Sequence, residues 1–331
     1  MKQKSIALYL TSIGLLLVIA ISWYLYAFLS LPQPAPVAPS VQPSETFLIT
    51  SAPNSLSQLS TLTPSSIPFD GKRAYEDVKI QLAFGPRVVG TEAHAAAVQW
   101  ISDELDRVGW QVEVQKSEAM GHPVQNIIAK RDPGNPQIIL GAHYDSRMYA
   151  DQDPNPENTS KPVPGANDGA SGVAILLELA RTLPTNTPNV WLVFIDTEDN
   201  GQISGWDWIL GSQEFVKNNP VKPLAVIILD MIGDKDLNIY KERNSNAALT
   251  DAIWNVADGL GYAGEFIPKY KYSMIDDHTP FVSAGIPAVD IIDFDYPYWH
   301  TTEDTIDKVS AASLEIVGKT MWKWITQQSG Q

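Results

Sequence analysis

Residues 190–199 read VWLVFIDTED, and this stretch decides the fold because six uninterrupted apolar residues run directly into acidic ones. The same pattern recurs in QIILGAHYDS at 137–146 and in LAVIILD at 224–230, and an interrupted version occupies 288–292. Continuous apolar runs of this length are typical of parallel strands that are covered on both faces. The sequence therefore predicts a sheet whose strands end in polar, chemically active residues.

Helical segments alternate with these strands. Residues 92–108 carry apolar side chains on one face, which predicts an amphipathic helix. Residues 169–183 are apolar nearly all round, which predicts a buried helix. Further helices are predicted at 75–82, after Gly211, at 247–259 and at 311–325. Shorter strands are predicted at 112–114, 126–129 and 237–240, and 288–292 is interpreted as the last central strand. This alternation predicts an α/β fold, a three-layer sandwich with a twisted, mostly parallel mixed sheet flanked by helices.

The polar residues beyond the strand ends form a candidate metal site. In open α/β sheets, ligands bind beyond the carboxyl ends of the strands, so side chains from distant segments are expected to meet there. The candidates are His143, Asp168, Glu198, Asp199, Asp230 and His300. Imidazole and carboxylate without thiolate form a normal zinc ligand set. Several buried carboxylates at one edge are costly without a cation, which also favours a metal.

Each candidate taken alone has an ordinary structural explanation. His143 can simply pack at a strand end, and Asp168 can cap the helix that follows it. The combination favours a metal site, because three of only five histidines lie in or beside these segments: His143, His278 and His300. The other two are assigned to the surface: His94 in a helix and His122 in a loop.

The adjacent acids Glu198 and Asp199 suggest a division of roles. Successive side chains in a strand or tight turn point to different sides. One carboxylate can therefore bind the metal while its neighbour faces the substrate and moves protons. We assign Asp199 to the metal and Glu198 to proton transfer.

Composition narrows the class of protein. The chain has 331 residues, 44% of them hydrophobic, which is enough for a sizeable core. Its formal net charge of -15 argues against a nucleic-acid partner. Cysteine is absent, so neither a disulfide nor a thiolate metal site can form.

The N-terminus predicts a membrane anchor. Two lysines precede an uncharged stretch whose apolar part, 6–31, is long enough to span a bilayer. A cleaved signal peptide is the alternative, but its apolar core would be shorter and a small-residue cleavage site would follow. We therefore expect an uncleaved signal anchor at 1–31, with the rest of the chain outside the cytoplasm. Residues 32–68 contain eight of the chain's 24 prolines, which predicts an extended linker. Residues 69–331 are interpreted as one catalytic domain.

Six ordered motifs between residue 85 and the C-terminus make the chain resemble the M28 family of zinc exopeptidases, and within it the glutaminyl-peptide cyclotransferase branch. These motifs are HYDS at 143–146, GANDGASG at 165–172, ED at 198–199, LDMIG at 229–233, DDHTPF at 276–281 and WHT at 299–301. The resemblance implies an α/β sandwich around a mixed, mainly parallel sheet.

For an aminopeptidase of this family, the resemblance implies two zinc ions that act on the N-terminal residue of peptides. Asp168 would bridge the two ions. One zinc would also take His143 and Asp230, and the other Asp199 and His300. The residue Glu198 would activate the bridging water.

For a cyclase, the resemblance implies one zinc held by three residues, Asp168, Asp199 and His300. The substrate would be a peptide or protein that begins with glutamine. Glu198 would move a proton from its α-amine to the leaving ammonia, helped by Asp230 and Asp276. Trp299 would help form the pocket for the glutamine side chain, and Trp208 is a second candidate for that pocket.

Three features favour the cyclase branch, although all ligands of the aminopeptidase are also retained. The segment after Asp199 is long and contains Trp206 and Trp208, two acids precede His278, and Trp299 directly precedes a histidine. One departure is that Asp199 stands where glutamate is common in the family. Both activities therefore remain open on sequence alone.

Overall fold

The computed structural model describes residues 67–329. The predicted anchor at 1–31, and the predicted linker up to residue 66, lie outside the described residues. Within residues 67–329, none of the helices combines the length and the apolar character needed to cross a bilayer.

The described chain alternates strands and helices as the sequence predicts. Its helices are α1 (Gly71–Ala83), α2 (Glu92–Arg107), α3 (Ala170–Thr182), α4 (Leu210–Asn218), α5 (Ala247–Gly259), α6 (Thr279–Ser283) and α7 (Ala311–Gln327), with a short 3-10 helix at Ile306–Lys308. Its strands are β1 (Gln111–Ala119), β2 (His122–Lys130), β3 (Ile138–His143), β4 (Val190–Ile195), β5 (Ala225–Asp230), β6 (Ile239–Lys241), β7 (Phe266–Tyr270) and β8 (Ala288–Ile292).

Six strands form one mixed sheet in the order β1-β2-β4-β3-β5-β8. The pairs β4/β3, β3/β5 and β5/β8 are parallel, whereas β1/β2 and β2/β4 are antiparallel. The predicted α/β class with a mostly parallel sheet is confirmed. The interpretation of 288–292 as a central strand is wrong, because β8 lies at the edge of the sheet. All five residues of β8 are nevertheless buried, and β6, from a separate two-stranded sheet, packs beside it.

The continuous apolar runs supply two cores, one on each face of the sheet. Successive strand residues point to opposite faces. In β4, Leu192 and Phe194 pack on one face with α1, α2, α3, α5 and α7. Trp191 and Val193 pack on the other face with α4 and α6. Apolar residues are therefore required at every position of the strand, which explains the unbroken pattern that reveals the fold.

The predicted buried helix is α3, in which every residue from Ala170 to Ala180 is buried. Gly172 permits its close approach to β5, because a Cβ there would lie 2.3 Å from the carbonyl oxygen of Leu229. This contact holds the start of α3 beside the end of β5. Asp168, just before the helix, is thereby brought toward Asp230, the last residue of that strand.

Candidate metal centre

The six residues that the sequence singles out meet at the carboxyl end of the sheet. His143 and Asp230 are the last residues of β3 and β5. The other four lie in the loops that follow β3, β4 and β8. All six are buried, with at most 8% of each exposed: His143, Asp168, Glu198, Asp199, Asp230 and His300.

Asp168, Asp199 and His300 form a group whose donor atoms all lie within 4.8 Å of one another. The Nε2 atom of His300 lies 2.8 Å from Oδ1 of Asp199 and 3.8 Å from Oδ2 of Asp168. Oδ2 of Asp168 and Oδ2 of Asp199 are buried without a hydrogen-bond donor. Buried carboxylate oxygens normally have a donor or a cation, so these three side chains fit a metal ion.

A second group shares Asp168 and adds His143 and Asp230. The Nε2 atom of His143 lies 3.0 Å from Asp168 and 3.2 Å from Asp230. Gly169 permits this approach, since a Cβ there would lie 2.5 Å from the carbonyl oxygen of His143. The structure therefore contains two adjoining groups that can each hold a metal ion, with Asp168 between them.

Two buried carboxylates that the sequence did not single out hold the site backbone in place. Asp145 accepts hydrogen bonds from the N–H groups of Glu198 (3.1 Å) and Asp199 (3.3 Å). Asp304 accepts from the N–H groups of Asn167 (2.9 Å) and Asp168 (3.2 Å). The carboxylate at 145 follows a strand-end histidine by two residues, which was an available signal; nothing in the local sequence marks the one at 304.

The backbone at the site adopts an uncommon conformation at three positions. The φ angles of Thr197 (56°), Met231 (46°) and His300 (56°) are positive although none of these residues is glycine. Such residues persist only when the surrounding structure holds them, and they cluster at functional sites. The first precedes Glu198, the second follows Asp230, and the third is itself a candidate ligand. The turns are therefore built to direct particular side chains.

Burial and mutual repulsion change the protonation of the cluster. Burial raises the pKa of Glu198 well above the ordinary glutamate value. It raises the pKa of Asp230 to about 7, and that of Asp199 to about 6 with help from the Asp168 charge. Burial opposes protonation of His300, but the carboxylates beside it raise its pKa to about 9. A bound divalent cation would reverse these shifts at its ligands, because it favours the charged carboxylate and the neutral imidazole.

A pocket of about 260 Å³ opens onto the first group. Its lining includes Glu198 and Asp276 beside a set of apolar and aromatic residues: Trp208, Met231, Met274, Ile275, Ile292, Phe294 and Trp299. The ring of Trp299 stacks on His300 with centroids 3.7 Å apart. The Trp208 ring lies 5.8 Å from the same imidazole. Both tryptophans proposed for substrate binding thus border the candidate metal group.

Two other residues that were named in support of the cyclase branch lie outside this pocket. Trp206 stacks on His122 with centroids 3.5 Å apart and is not among the residues lining this pocket. His278 is buried in a third group with Asp276 and Asp290 rather than in the pocket.

The assignment of His94 to the surface is wrong, and His122 does not lie in a loop. His94 is only 2% exposed, and its Nε2 lies 2.7 Å from Oδ1 of Asp196. Burial opposes protonation of this histidine, but Asp196 raises its pKa. The sequence carried a signal, because position 94 shares a helix face with the buried Ala97 and Ile101. His122 is half-buried and is the first residue of β2 rather than part of a loop.

Comparison with known proteins assigns the chain to a protein family. Residues 126–325 match Peptidase family M28. Aminopeptidase YwaD of Bacillus subtilis is 30% identical over 217 residues, which cover 59% of this chain and 42% of that relative. The crystal structure of Tannerella forsythia glutaminyl cyclase is 37% identical, covers 78% of this chain and 98% of its own, and has a TM-score of 0.73. A leucine aminopeptidase precursor from Bacteroides thetaiotaomicron is 33% identical over 79% of this chain and 98% of its own, with a TM-score of 0.74.

Proposed function

The chain belongs to peptidase family M28, and we propose that it is a zinc-dependent glutaminyl-peptide cyclotransferase that converts N-terminal glutamine to pyroglutamate. The observation that carries the proposal is the small, aromatic-walled pocket that ends on Asp168, Asp199 and His300. Proteins named for cyclase and for aminopeptidase activity are both similar to this chain, so the choice rests on the chemistry of the pocket.

The pocket suits a reaction that must exclude water. In cyclisation the nucleophile is the peptide's own α-amine, so no water has to be activated and proximity is built into the substrate. Trp299 and Phe294 pack edge to face, with centroids 5.1 Å apart, and wall one side of the pocket. Trp208 borders it beside His300. Aromatic walls of this kind shield a glutamine side chain from bulk water and fix its orientation.

The reaction balances without any co-substrate. The α-amine nitrogen forms a bond to the side-chain amide carbon, the bond from that carbon to its NH₂ group breaks, and ammonia leaves. One proton must pass from the attacking nitrogen to the departing one. Zinc bound by Asp168, Asp199 and His300 would act as a Lewis acid toward the amide oxygen.

Glu198 is the residue proposed to carry this proton. It lines the pocket beside Asp199 but belongs to neither of the two ligand groups around Asp168. Burial raises the pKa of Glu198, which favours uptake of a proton by its carboxylate. Asp230 and Asp276 line the same pocket and are proposed to stabilise the positive charge that develops on the α-amine nitrogen as it attacks the amide carbon.

The alternative is a two-zinc aminopeptidase, and one observation favours it. The imidazole Nε2 of His143 lies 3.0 Å from Asp168 and 3.2 Å from Asp230, so the second ligand group is complete. With a second ion there, Asp230 would be a ligand rather than an acid, and Glu198 would deprotonate water. The two hypotheses thus differ in metal number and in the role of Asp230.

One assay separates the two activities. The purified chain, incubated with a glutamine-initiated peptide, should release one ammonia per peptide and leave the peptide bond intact. The same peptide with an acetylated α-amine is the matched control, because its nucleophile is blocked. Release of free N-terminal amino acid from a leucine-initiated peptide, without ammonia from the first substrate, would overturn the proposal. Metal analysis tests it independently: one zinc per chain supports the cyclase, and two support the aminopeptidase.

We also propose, from the sequence, that residues 1–31 anchor the domain outside the cytoplasm. Protease added to intact cells should then remove the catalytic domain. Protection of the domain until the cells are lysed would contradict this topology.

A further inference from the structure

Arg147 lies in the loop after β3 and connects it to the loop after β4, which carries Asp199. It lies four residues after His143, and only 1% of it is exposed. Its Nη1 donates to the carbonyl oxygen of Asp199 (2.7 Å), and its Nη2 donates to that of Gly201 (3.1 Å). The same guanidinium donates through Nε (2.8 Å) and Nη2 (2.6 Å) to the two carboxylate oxygens of Asp151. A paired fork of this kind fixes the orientation of the carboxylate.

The carboxylate that Arg147 fixes lies beside His300. Oδ1 of Asp151 is 3.6 Å from Nδ1 of the imidazole, while Nε2 of the same ring faces Asp199 and Asp168. At 3.6 Å the contact is electrostatic rather than a hydrogen bond. It favours the tautomer that carries its proton on Nδ1, and that tautomer leaves the Nε2 lone pair free for a metal.

The other candidate ligand histidine is arranged in the same way. Nδ1 of His143 lies 3.4 Å from Oδ1 of Asp145, while its Nε2 faces Asp168 and Asp230. Each imidazole therefore has one carboxylate behind it and two candidate ligands in front. The carboxylate at 145 lies two residues from its histidine in sequence, whereas the one behind His300 comes from a distant loop.

We infer that Asp151, held by Arg147, is the positioning residue for His300 and strengthens zinc binding through it. The inference rests on the proposed zinc-dependent function. Carboxylates behind a metal-bound histidine set its tautomer and raise its basicity. Asp151 contacts the candidate ligand set through the imidazole of His300, while its partner Arg147 lies 3.9 Å from Oδ1 of Asp199.

The loop of Asp151 is held against the His300 turn by further bonds, so the contact does not depend on one ion pair. Gln152 N–H donates to the carbonyl oxygen of His300 (3.2 Å). The carboxylate of Asp153 accepts from the N–H (2.9 Å) and the hydroxyl (2.5 Å) of Thr302. Replacing the side chain at position 151 should therefore leave the loop in place.

The test is the zinc dissociation constant of Asp151→Asn, measured by competition with a chromophoric chelator. Asparagine keeps the shape but removes the charge and one acceptor of Arg147. Because 36% of the Asp151 side chain is accessible, we expect the dissociation constant to rise about tenfold, the lower end of such effects. Glu157→Gln is the matched control, since it removes one negative charge from an exposed position of the same loop. The zinc affinity of this control should equal that of the wild type.

A purely structural role would give a different result. It would lower only the melting temperature of the metal-free Asp151→Asn protein, because Arg147 loses an acceptor, whereas the positioning role also weakens zinc binding and alters the visible spectrum of the cobalt-substituted protein. Equal zinc affinities for Asp151→Asn and wild type would overturn the inference while leaving the zinc function intact. A wild-type chain that binds no zinc would instead defeat the proposed function itself.

Discussion

Replacing Glu198 with glutamine separates proton transfer from metal binding more sharply than any other single substitution. Glutamine has nearly the same shape but can neither take up nor release a proton at neutral pH. The ligand groups around Asp168 do not include position 198, so zinc binding should persist. The reaction, by contrast, needs one proton to cross from the attacking to the leaving nitrogen.

The size of the effect follows from the role. A positioned general acid–base group contributes about 10²–10⁴ in rate, so kcat should fall by that factor, equivalent to about 3–5 kcal/mol of lost transition-state stabilisation. The same substitution should raise, rather than lower, the free energy of unfolding of the metal-free protein. Burial raises the pKa of Glu198, so the wild type loses stability as pH rises from 4.5 through that raised pKa, and glutamine avoids the loss. Neighbouring Asp199, Asp276 and Asp277 add to this penalty, and His143 opposes it.

Three measurements on Glu198→Gln and wild type decide the matter: ammonia release, zinc content, and metal-free melting temperature at mildly alkaline pH. Glu157→Gln serves as the surface control with the same chemical change. We expect lost turnover, full zinc occupancy and a melting temperature at or above that of the wild type. Retained turnover would refute the proton-transfer role, and loss of zinc would show that the residue is a ligand.

Three further substitutions test the packing and the pocket. His94→Gln breaks the buried ion pair with Asp196 and should lower the free energy of unfolding by about 3 kcal/mol in denaturant titrations. Burial opposes protonation of this histidine, but Asp196 raises its pKa above 6.5. The stability lost on substitution should therefore be largest below pH 6.5 and should shrink as pH rises through the raised pKa. A loss of stability that does not depend on pH would contradict this. Gly172→Ala places a Cβ 2.3 Å from the Leu229 carbonyl oxygen and should cost about 1–3 kcal/mol of stability, seen as a lower melting temperature; an unchanged one would mean that α3 can shift freely. Trp299→Leu removes a stacked wall of the pocket and should raise KM for a glutamine-initiated peptide by up to about tenfold, whereas an unchanged KM would place the substrate elsewhere.

The strands, and the polar residues at their ends, were predictable because one physical requirement produces a clear sequence pattern. A strand covered on both faces needs apolar residues at every position, so residues 190–195 stand out without any knowledge of the fold. The parallel arrangement then directs the strand ends to a common edge. The meeting of His143 and Asp230 follows from that arrangement, whereas Asp168 is brought to them by the packing of α3 against β5. The role of all three as ligands remains a prediction.

Strand order was less predictable because it depends on contacts between distant segments. The apolar character of residues 288–292 predicted a buried strand, which was interpreted as a central one. The sequence indicates how buried a strand is but does not indicate which elements cover it. In the structure β6 packs beside this edge strand and helices cover the faces of the sheet. The same difficulty applies to β6 and β7, which pair with each other rather than with the main sheet.

The residues that support the site were the hardest to predict. Asp304 holds the backbone of Asp168 from 136 residues away, and Asp151 reaches His300 from a loop with no regular pattern. Such roles depend on how loops fold over the sheet, and acidic residues in loops are usually solvated. His94 differs, because its place on an apolar helix face already indicated burial and hence a need for a partner.

The proposed zinc site is best tested by crystallography. Anomalous diffraction collected on both sides of the zinc absorption edge, from an active preparation, locates the metal without reference to any assumed ligand. We expect a zinc peak enclosed by Asp168, Asp199 and His300, with the Glu198 carboxylate nearby but not bound to it. An active crystal without a zinc peak among those three side chains would show that the enzyme does not use this metal site.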